Sequence, residues 1–205
     1  MQLPDDFETL SEAGDFQKPP PDSYVCKVVL SKATLSKSGR PMLVLDLDIA
    51  EGPFSGWYTR DNDHRADMGY DPKWLRMYQL SDGKSAGLFK RLLKNFERSN
   101  AGYDLAEHCN GKIFDEKSLK GLLIGVLCDG EEFEHNGKIL LSIKPNKSYS
   151  VDQIHKGVPP IARIQGIDGS WRYVTEPTPT RAREPPKEKS GNELPDEEEF
   201  DIPFL

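Results

Sequence analysis

The feature that most constrains the fold of this chain is a run in which apolar residues occupy every second position: Leu43, Leu45, Leu47 and Ile49. Because successive side chains of a strand point to opposite faces, this spacing predicts a strand over residues 42–49 with one buried face. Partial alternation predicts a strand over residues 23–35, with Tyr24, Cys26, Val28 and Leu30 on one face. An aromatic stretch predicts a third strand over residues 54–60. Short turns join these strands, which is typical of an antiparallel meander and not of a βαβ unit.

The middle of the chain changes from strand to helix periodicity. Apolar side chains at helical spacing predict a helix from Ser85 to about Ser99. The strand pattern then resumes over residues 119–128, and residues 139–143 are predicted to pair back across a loop. A meander, a helix and a hairpin follow the element order of a mainly β, five-stranded OB-fold barrel with one helix between its third and fourth strands. Another small β barrel or sandwich remains open.

Composition divides the 205 residues into four regions: an N-terminal extension over 1–22, the OB-fold domain over 23–155, a partly ordered extension over 156–174 and a disordered tail over 175–205. The tail holds nine acidic and four basic side chains, whereas the remainder holds 25 and 23. The tail has too little apolar surface to offset the entropy of ordering. The body is not basic, and this counts against nucleic-acid binding.

The tail closes on a run of carboxylates around an apolar hook: Asp196, Glu197, Glu198, Glu199, Phe200, Asp201, Ile202, Pro203 and Phe204. Such a segment suits docking, because the terminal aromatic can enter a pocket while the carboxylates pair with basic side chains around it. A tail that serves only solubility is the alternative. The pattern favours a partner-docking tip.

Two stretches resemble known single-stranded DNA-binding proteins. The tip resembles the C-terminal tip of the bacterial proteins, in which an acidic run ends in Asp-Ile-Pro-Phe, as at residues 201–204; in that family the Phe is the last residue, and here Leu205 follows. Residues 36–56, with Trp57 and Tyr58 after them, resemble the first hairpin of phage-encoded OB-fold binders. The resemblance implies a protein that coats single-stranded DNA in replication or recombination and recruits partner proteins through its tip.

Unpaired bases are bound by flat rings that stack on them and by cations that follow the phosphates. The expected DNA-binding residues are Lys32, Lys37, Arg40, Trp57, Tyr58, Arg60, Phe133, Lys138, Lys144, Lys147 and Tyr149. Since Trp57 and Tyr58 are adjacent on a predicted strand, only one of them is expected to face DNA. Core packing remains an alternative for each ring, and an ordinary solvated surface for the lysines.

Cations and rings also alternate between Arg65 and Tyr78. We expect this segment to cap the open end of the barrel, with a second stacking surface as the alternative. Asp46 and Asp48 fall on one side of the second predicted strand. Without a third acidic or lysine partner at a recognisable spacing, they are expected on a solvated strand face.

Catalytic and cofactor motifs are weak in this sequence. The segment Asp82–Ser85 ends like a phosphate-binding loop, but Tyr78 stands where that motif needs its first glycine. The four histidines and three cysteines lack the spacing of a zinc site. We therefore expect no enzyme activity, no cofactor and no metal.

The remaining expectations concern location and assembly. No apolar run reaches the length of a membrane span, and the first residues lack the features of a signal peptide, so a cytoplasmic protein is expected, in a host cell if the chain is phage-encoded. Homo-oligomers are possible. The alternative function is a replisome or recombination adaptor whose β domain binds protein in place of DNA.

Overall fold

The computed structural model describes residues 17–174, and this part of the chain is mainly β. Its longer strands are β1 (Ser23–Leu35), β2 (Pro41–Ile49), β3 (Leu75–Leu80), β6 (Leu123–His135) and β7 (Lys138–Tyr149). Its short strands are β4 (Cys109–Asn110), β5 (Ile113–Phe114), β8 (Arg163–Gln165) and β9 (Trp171–Tyr173). Its helices are α1 (Trp57–Asp67), α2 (Ala86–Ser99) and α3 (Val151–His155). No helix within residues 17–174 combines the length and apolar character needed to cross a bilayer.

Seven strands form one sheet. Its order is β3-β2-β1-β6-β8-β9, and β7 pairs with the other edge of β6. All of these pairs are antiparallel except β6 with β8. A small hairpin of β4 and β5 stands apart. The predicted order of meander, helix and hairpin is therefore present, with two additional short strands at one edge.

The sheet does not close into the predicted barrel. The third predicted strand, over residues 54–60, is wrong, because residues 57–67 form α1 and the strand lies at Leu75–Leu80. The six residues of β3 pair with β2, and no hydrogen-bonded ladder joins β3 to β7 within the described residues. The two strands nevertheless lie side by side. The sheet therefore curls toward closure and stays open between them.

The prediction for β2 is confirmed. Leu43, Leu45, Leu47 and Ile49 are all buried. The predicted strand over residues 23–35 is confirmed as β1. Its predicted facing holds only as far as Val28, since Leu30 is 51% exposed while Ser31 is buried. The pairing of β1 with β2 shifts between Val28 and Leu30. A bulge adds one residue to the strand and reverses which side chains face inward beyond it.

The predicted amphipathic helix is confirmed as α2. Its residues Leu92, Leu93 and Phe96 are buried against the inner face of the sheet. This core also contains Cys26 and Cys128, which are free thiols. Burial raises the pKa of both thiols, so they stay protonated.

The last hairpin is longer than predicted. The prediction of a loop between Asp129 and Gly137 is wrong, because β6 continues to His135 and only Asn136 and Gly137 form the turn. Both turn residues have positive φ, 51° and 70°, as the tightest hairpin turns require. Residues 163–173, expected within a partly ordered extension, join the same sheet as β8 and β9.

Candidate nucleic-acid interface

The outer face of β1, β2 and β3 carries three rows of side chains across the sheet. Strand register places Lys32 beside Val44 and Val44 beside Tyr78. The neighbouring rows are Leu30, Asp46 and Arg76 on one side and Thr34, Met42 and Leu80 on the other. Neighbouring strands lie about 4.8 Å apart, so each row spans about 10 Å. We call these nine residues the outer face.

Tyr78 is the exposed ring of the outer face, with 45% of its surface accessible. Its neighbours on the strand, Leu75 and Met77, are buried, because side chains alternate between the two sides of β3. Val44 and Lys32 continue the row from the ring to a cation. Lys32 is exposed and makes no ion pair within residues 17–174. An exposed ring and an exposed cation on one row can contact a base and a phosphate together.

Asp46 is buried on this same face and is held by Arg76. The Arg76 guanidinium donates two hydrogen bonds to the carboxylate, at 2.6 Å and 3.1 Å. The hydrogen bonds with Asp46 raise the pKa of Arg76 and keep it charged. The pair neutralises the acidic residue of the outer face and fixes the guanidinium beside Tyr78. The expectation of a solvated Asp46 is therefore wrong.

The β1–β2 turn brings two further predicted residues to the edge of this face. Lys37 is exposed in the turn, where Gly39 adopts a φ of 78°. Arg40 is bound to Asp82, with an N–O separation of 2.7 Å, and donates to the Asp82 backbone carbonyl at 3.1 Å. Arg40 thus ties the hairpin to the segment before α2. Its charge is shared with Asp82, in contrast to that of Lys32.

Trp57 and Tyr58 do not reach any DNA-facing surface. Both are buried, at 8% and 6% exposure, and pack edge-on at a ring separation of 4.9 Å. The Trp57 indole donates to the Gln17 carbonyl at 2.9 Å. Arg60 lies on the same helix and donates to the Ser55 carbonyl at 2.7 Å. The prediction that one of the two rings faces DNA is wrong, because both belong to the core.

Asp48 explains why these residues are helical. Its buried carboxylate accepts hydrogen bonds from the backbone amides of Tyr58 at 3.0 Å and Thr59 at 3.1 Å. Gly56 precedes the helix with a φ of 68° and has no side chain to cap it. The carboxylate therefore serves as the missing cap and favours the positive end of the helix dipole. The expectation of a solvated Asp48 is wrong for this reason.

The other predicted residues lie on β6 and β7. Register places Phe133 beside Leu140 and brings these residues to one side of the hairpin: Lys138, Lys144 and Lys147. Phe133 is 41% exposed on a strand, in place of the predicted loop. Lys144 forms an ion pair with Glu131. Tyr149 is partly buried opposite Gly125, and this burial raises the pKa of its hydroxyl.

The predicted site thus falls into three places: the β1–β2 hairpin, helix α1 and the β6–β7 hairpin. The segment from Arg65 to Tyr78, which includes Arg76, was predicted to cap the open end of the barrel. Of its rings, Trp74 packs against the core, whereas Tyr70 and Tyr78 are exposed. The alternation of Leu75, Arg76, Met77 and Tyr78 was the available signal for an exposed face. The docking residues from Asp196 to Phe204 lie outside the described residues.

Within residues 17–174 no three His, Cys, Asp or Glu side chains gather closely enough to hold a metal ion. No protein-family model matches the chain, and no curated protein matches it at a significant level.

Proposed function

We propose that the protein binds single-stranded DNA on the outer face and recruits partner proteins through its acidic tip. The row of Lys32, Val44 and Tyr78 carries this proposal, because it joins a cation that is unpaired within residues 17–174 to an exposed ring. Base stacking on an aromatic side chain contributes about 1–3 kcal/mol per base and tolerates any sequence. Such a surface suits a protein that coats unpaired strand without turnover.

The connectivity supports an OB-type arrangement for this function. β1 lies between β2 and β6, β7 flanks β6, and α2 connects β3 to the second half of the sheet. OB folds bind oligonucleotides on the second and third strands, framed by two hairpin loops. Here six of the nine residues of the outer face lie on β2 and β3. The β1–β2 and β6–β7 hairpins extend beyond the core. The two stretches that resemble phage and bacterial single-strand binders point the same way.

The net charge of −7 does not oppose this proposal by itself, since local placement decides an electrostatic contact. On the outer face the carboxylate of Asp46 is neutralised by Arg76. Lys32, which makes no ion pair within residues 17–174, then contributes a positive charge to this face. The tail, with a net charge of −5, would compete with phosphate for these cations when DNA is absent.

The test is fluorescence anisotropy of labelled oligo(dT) with the full chain. Affinity should fall as salt rises, because bound phosphates release counterions. Tyr78→Ala should weaken binding by about 1–3 kcal/mol. The matched control is Tyr70→Ala, which removes a ring that is 57% exposed, also lies near an arginine, and stands outside the outer face. Lys32→Ala should reduce the salt slope by about one.

Two results would contradict the proposal. One is the absence of binding at about 50 mM salt, the low end of the usual range. The other is an equal effect of Tyr78→Ala and Tyr70→Ala in folded proteins. A parallel incubation with Mg²⁺ should leave the oligonucleotide intact, and cleavage that depends on the protein would favour a nuclease.

A protein-binding adaptor is the second candidate. Leu35 and Ile139, near the tips of the two long hairpins, are each 65% exposed. Exposed aliphatic residues on projecting hairpins suit protein contacts. If oligo(dT) does not bind while Leu35→Ser abolishes capture of a replication protein, the adaptor is the better account.

A further inference from the structure

The hairpin of β8 and β9 presents two large rings at the edge of the sheet. Trp171 is 49% exposed and Tyr173 is 58% exposed. They lie two positions apart on β9 and so point to the same side. Register places Tyr173 beside Arg163 and Trp171 beside Gln165. The edge of β9 opposite β8 pairs with no strand among the described residues.

The same side of the sheet continues onto β6. Gln165 lies beside Glu131 in the parallel pair of β8 and β6, and Phe133 follows two residues later on the same side. Gly130, one residue earlier, points to the opposite side, where an added Cβ would lie 3.0 Å from Ile164. Phe133, Trp171 and Tyr173 therefore share one side of the sheet.

Arg163 contacts both the exposed Trp171 ring and the buried Asp129 carboxylate. Its guanidinium lies 4.5 Å from the centre of the Trp171 ring. Its backbone amide donates to the buried Asp129 carboxylate at 2.8 Å. Asp129 also accepts a hydrogen bond from Asn146 at 2.6 Å, which joins β7 to the same anchor. The hairpin is thus fixed to β6, and Trp171 is presented with a cation against one face.

Charge separates the two sides of this part of the sheet. The side with the rings carries Lys138, Lys144, Lys147 and Arg163, and both of its carboxylates on β6 are paired, Glu131 with Lys144 and Asp129 with Arg163. The opposite side carries Glu132 and Glu134, and Arg172 there is bound to Glu132. Cations therefore lie among the exposed rings, and carboxylates dominate behind them.

We propose that Phe133, Arg163, Trp171 and Tyr173 form a second stacking platform for single-stranded DNA, which we call the edge platform. This inference rests on the proposed function and extends the DNA path beyond the outer face. The two ring-bearing positions on β9 lie about 6.7 Å apart, which is two base-stacking steps of about 3.4 Å. Each ring leaves exposed surface on which a base can stack. Lysines of β7 supply the phosphate contacts.

Tryptophan fluorescence of the full chain tests the edge platform directly. Trp171 is the most exposed of the three tryptophans, since Trp57 is buried and Trp74 is partly buried. Oligo(dT) should quench the emission of the wild type. Trp171→Phe should remove most of the quenching and keep affinity within about threefold, because phenylalanine still stacks.

Affinity measurements on alanine variants complete the test. Trp171→Ala and Tyr173→Ala should each weaken oligo(dT) binding by roughly 5- to 140-fold. Tyr70→Ala is again the matched control, because its exposed ring stands near Arg65 at 5.6 Å and lies away from β9. Circular dichroism and thermal unfolding establish that each variant is folded.

The outcomes separate this inference from the proposed function. If Tyr78→Ala weakens binding while both β9 variants bind like the wild type, the edge platform is overturned and the proposed function stands. If the wild type fails to bind at low salt, both fail. If the β9 variants change the sedimentation coefficient but not the affinity, the surface is a protein contact and the edge platform is overturned. Loss of quenching in Trp171→Phe, together with weaker binding by Trp171→Ala and Tyr173→Ala, supports the edge platform.

Discussion

At the scale of single residues, the Asp48 carboxylate accepts hydrogen bonds from three backbone amides: Ile49, Tyr58 and Thr59. The Thr59 hydroxyl donates to it as well. Most of these donors belong to the first turn of α1, where amides have no partner within the helix. One buried side chain on β2 therefore holds the helix that carries Trp57 and Tyr58 into the core.

Asp48→Ala should lower the free energy of unfolding by about 2 kcal/mol or more, because it removes the helix cap and leaves buried amides unsatisfied. The measurement is urea unfolding followed by circular dichroism. Asp63→Ala is the matched control, since this carboxylate is exposed on the same helix, and it should change stability by less than about 0.5 kcal/mol. Equal effects of the two variants would contradict the capping role of Asp48.

At the scale of elements, a glycine determines how closely α3 packs on β6. A Cβ at Gly125 would lie 2.4 Å from Ile154 Cγ1 and 3.0 Å from the Ser150 carbonyl oxygen. The second of these atoms belongs to the backbone and cannot move without shifting the start of α3. Ser150 itself caps α3 by accepting a hydrogen bond from the Gln153 amide. The Ser150 cap therefore holds the short helix, and the absence of a side chain at Gly125 lets α3 pack closely on β6.

Gly125→Ala should destabilise the fold by about 1–3 kcal/mol through overpacking. Gly87→Ala, in the first turn of α2, should instead raise stability by up to about 1 kcal/mol, since its site is open and alanine favours helix. Thermal unfolding of both variants measures the contrast. If both variants change stability in the same direction, close packing against α3 does not determine the effect of Gly125→Ala.

At the scale of the whole molecule, the buried core contains groups that must stay neutral. Burial raises the pKa of the Tyr24 and Tyr58 hydroxyls as well as the Cys26 and Cys128 thiols. The folded chain keeps protons that the unfolded chain releases above about pH 8.5 for cysteine and about pH 10 for tyrosine. Stability is therefore full below these values and is lost as pH rises toward the folded pKa values.

The unfolding temperature should accordingly fall between about pH 9 and pH 11. Tyr58→Phe removes one of the ionising groups, so this variant should lose less stability over the same range. Tyr173→Phe removes an exposed hydroxyl and should keep the slope of the wild type. Differential scanning fluorimetry across this range is the measurement. An unfolding temperature that stays constant to about pH 11 would contradict the prediction.

Charge balance between body and tail gives a second prediction at this scale. Deleting residues 193–205 should raise the affinity for oligo(dT), most strongly at low salt, because a tethered acidic competitor is removed. A tail of equal length with amides in place of these carboxylates should behave like the deletion in anisotropy measurements. An unchanged affinity in both variants would exclude competition by the tail.

Partner capture by the tip is tested separately. Phe204→Ala should abolish capture of a single-strand-binding-protein partner enzyme in a pull-down, since the aromatic is the expected anchor. Phe200→Ala, within the acidic run, should have the smaller effect. If the Phe204 variant captures every partner that the wild type captures, the tail serves only solubility.

Local periodicity by itself determined β1 up to its bulge, β2, the core of the last hairpin and the amphipathic helix α2. In each case the spacing of apolar residues along the sequence indicates which face of the strand or helix is buried. The cations Lys32 and Lys37 were predicted at the site for a different reason, their clustering around the first turn.

Tertiary contacts decided the rest. Residues 54–60 have the aromatic content of a strand, yet Asp48, on β2, accepts the amides of Tyr58 and Thr59 and makes that stretch helical. The bulge after Val28 reverses the side on which Leu30 lies. Tyr78 becomes a site residue only when register places it beside Val44 and Lys32. Apolar spacing records which face of a segment is buried, whereas a cap, a bulge or a row across strands depends on residues that meet only in the folded chain.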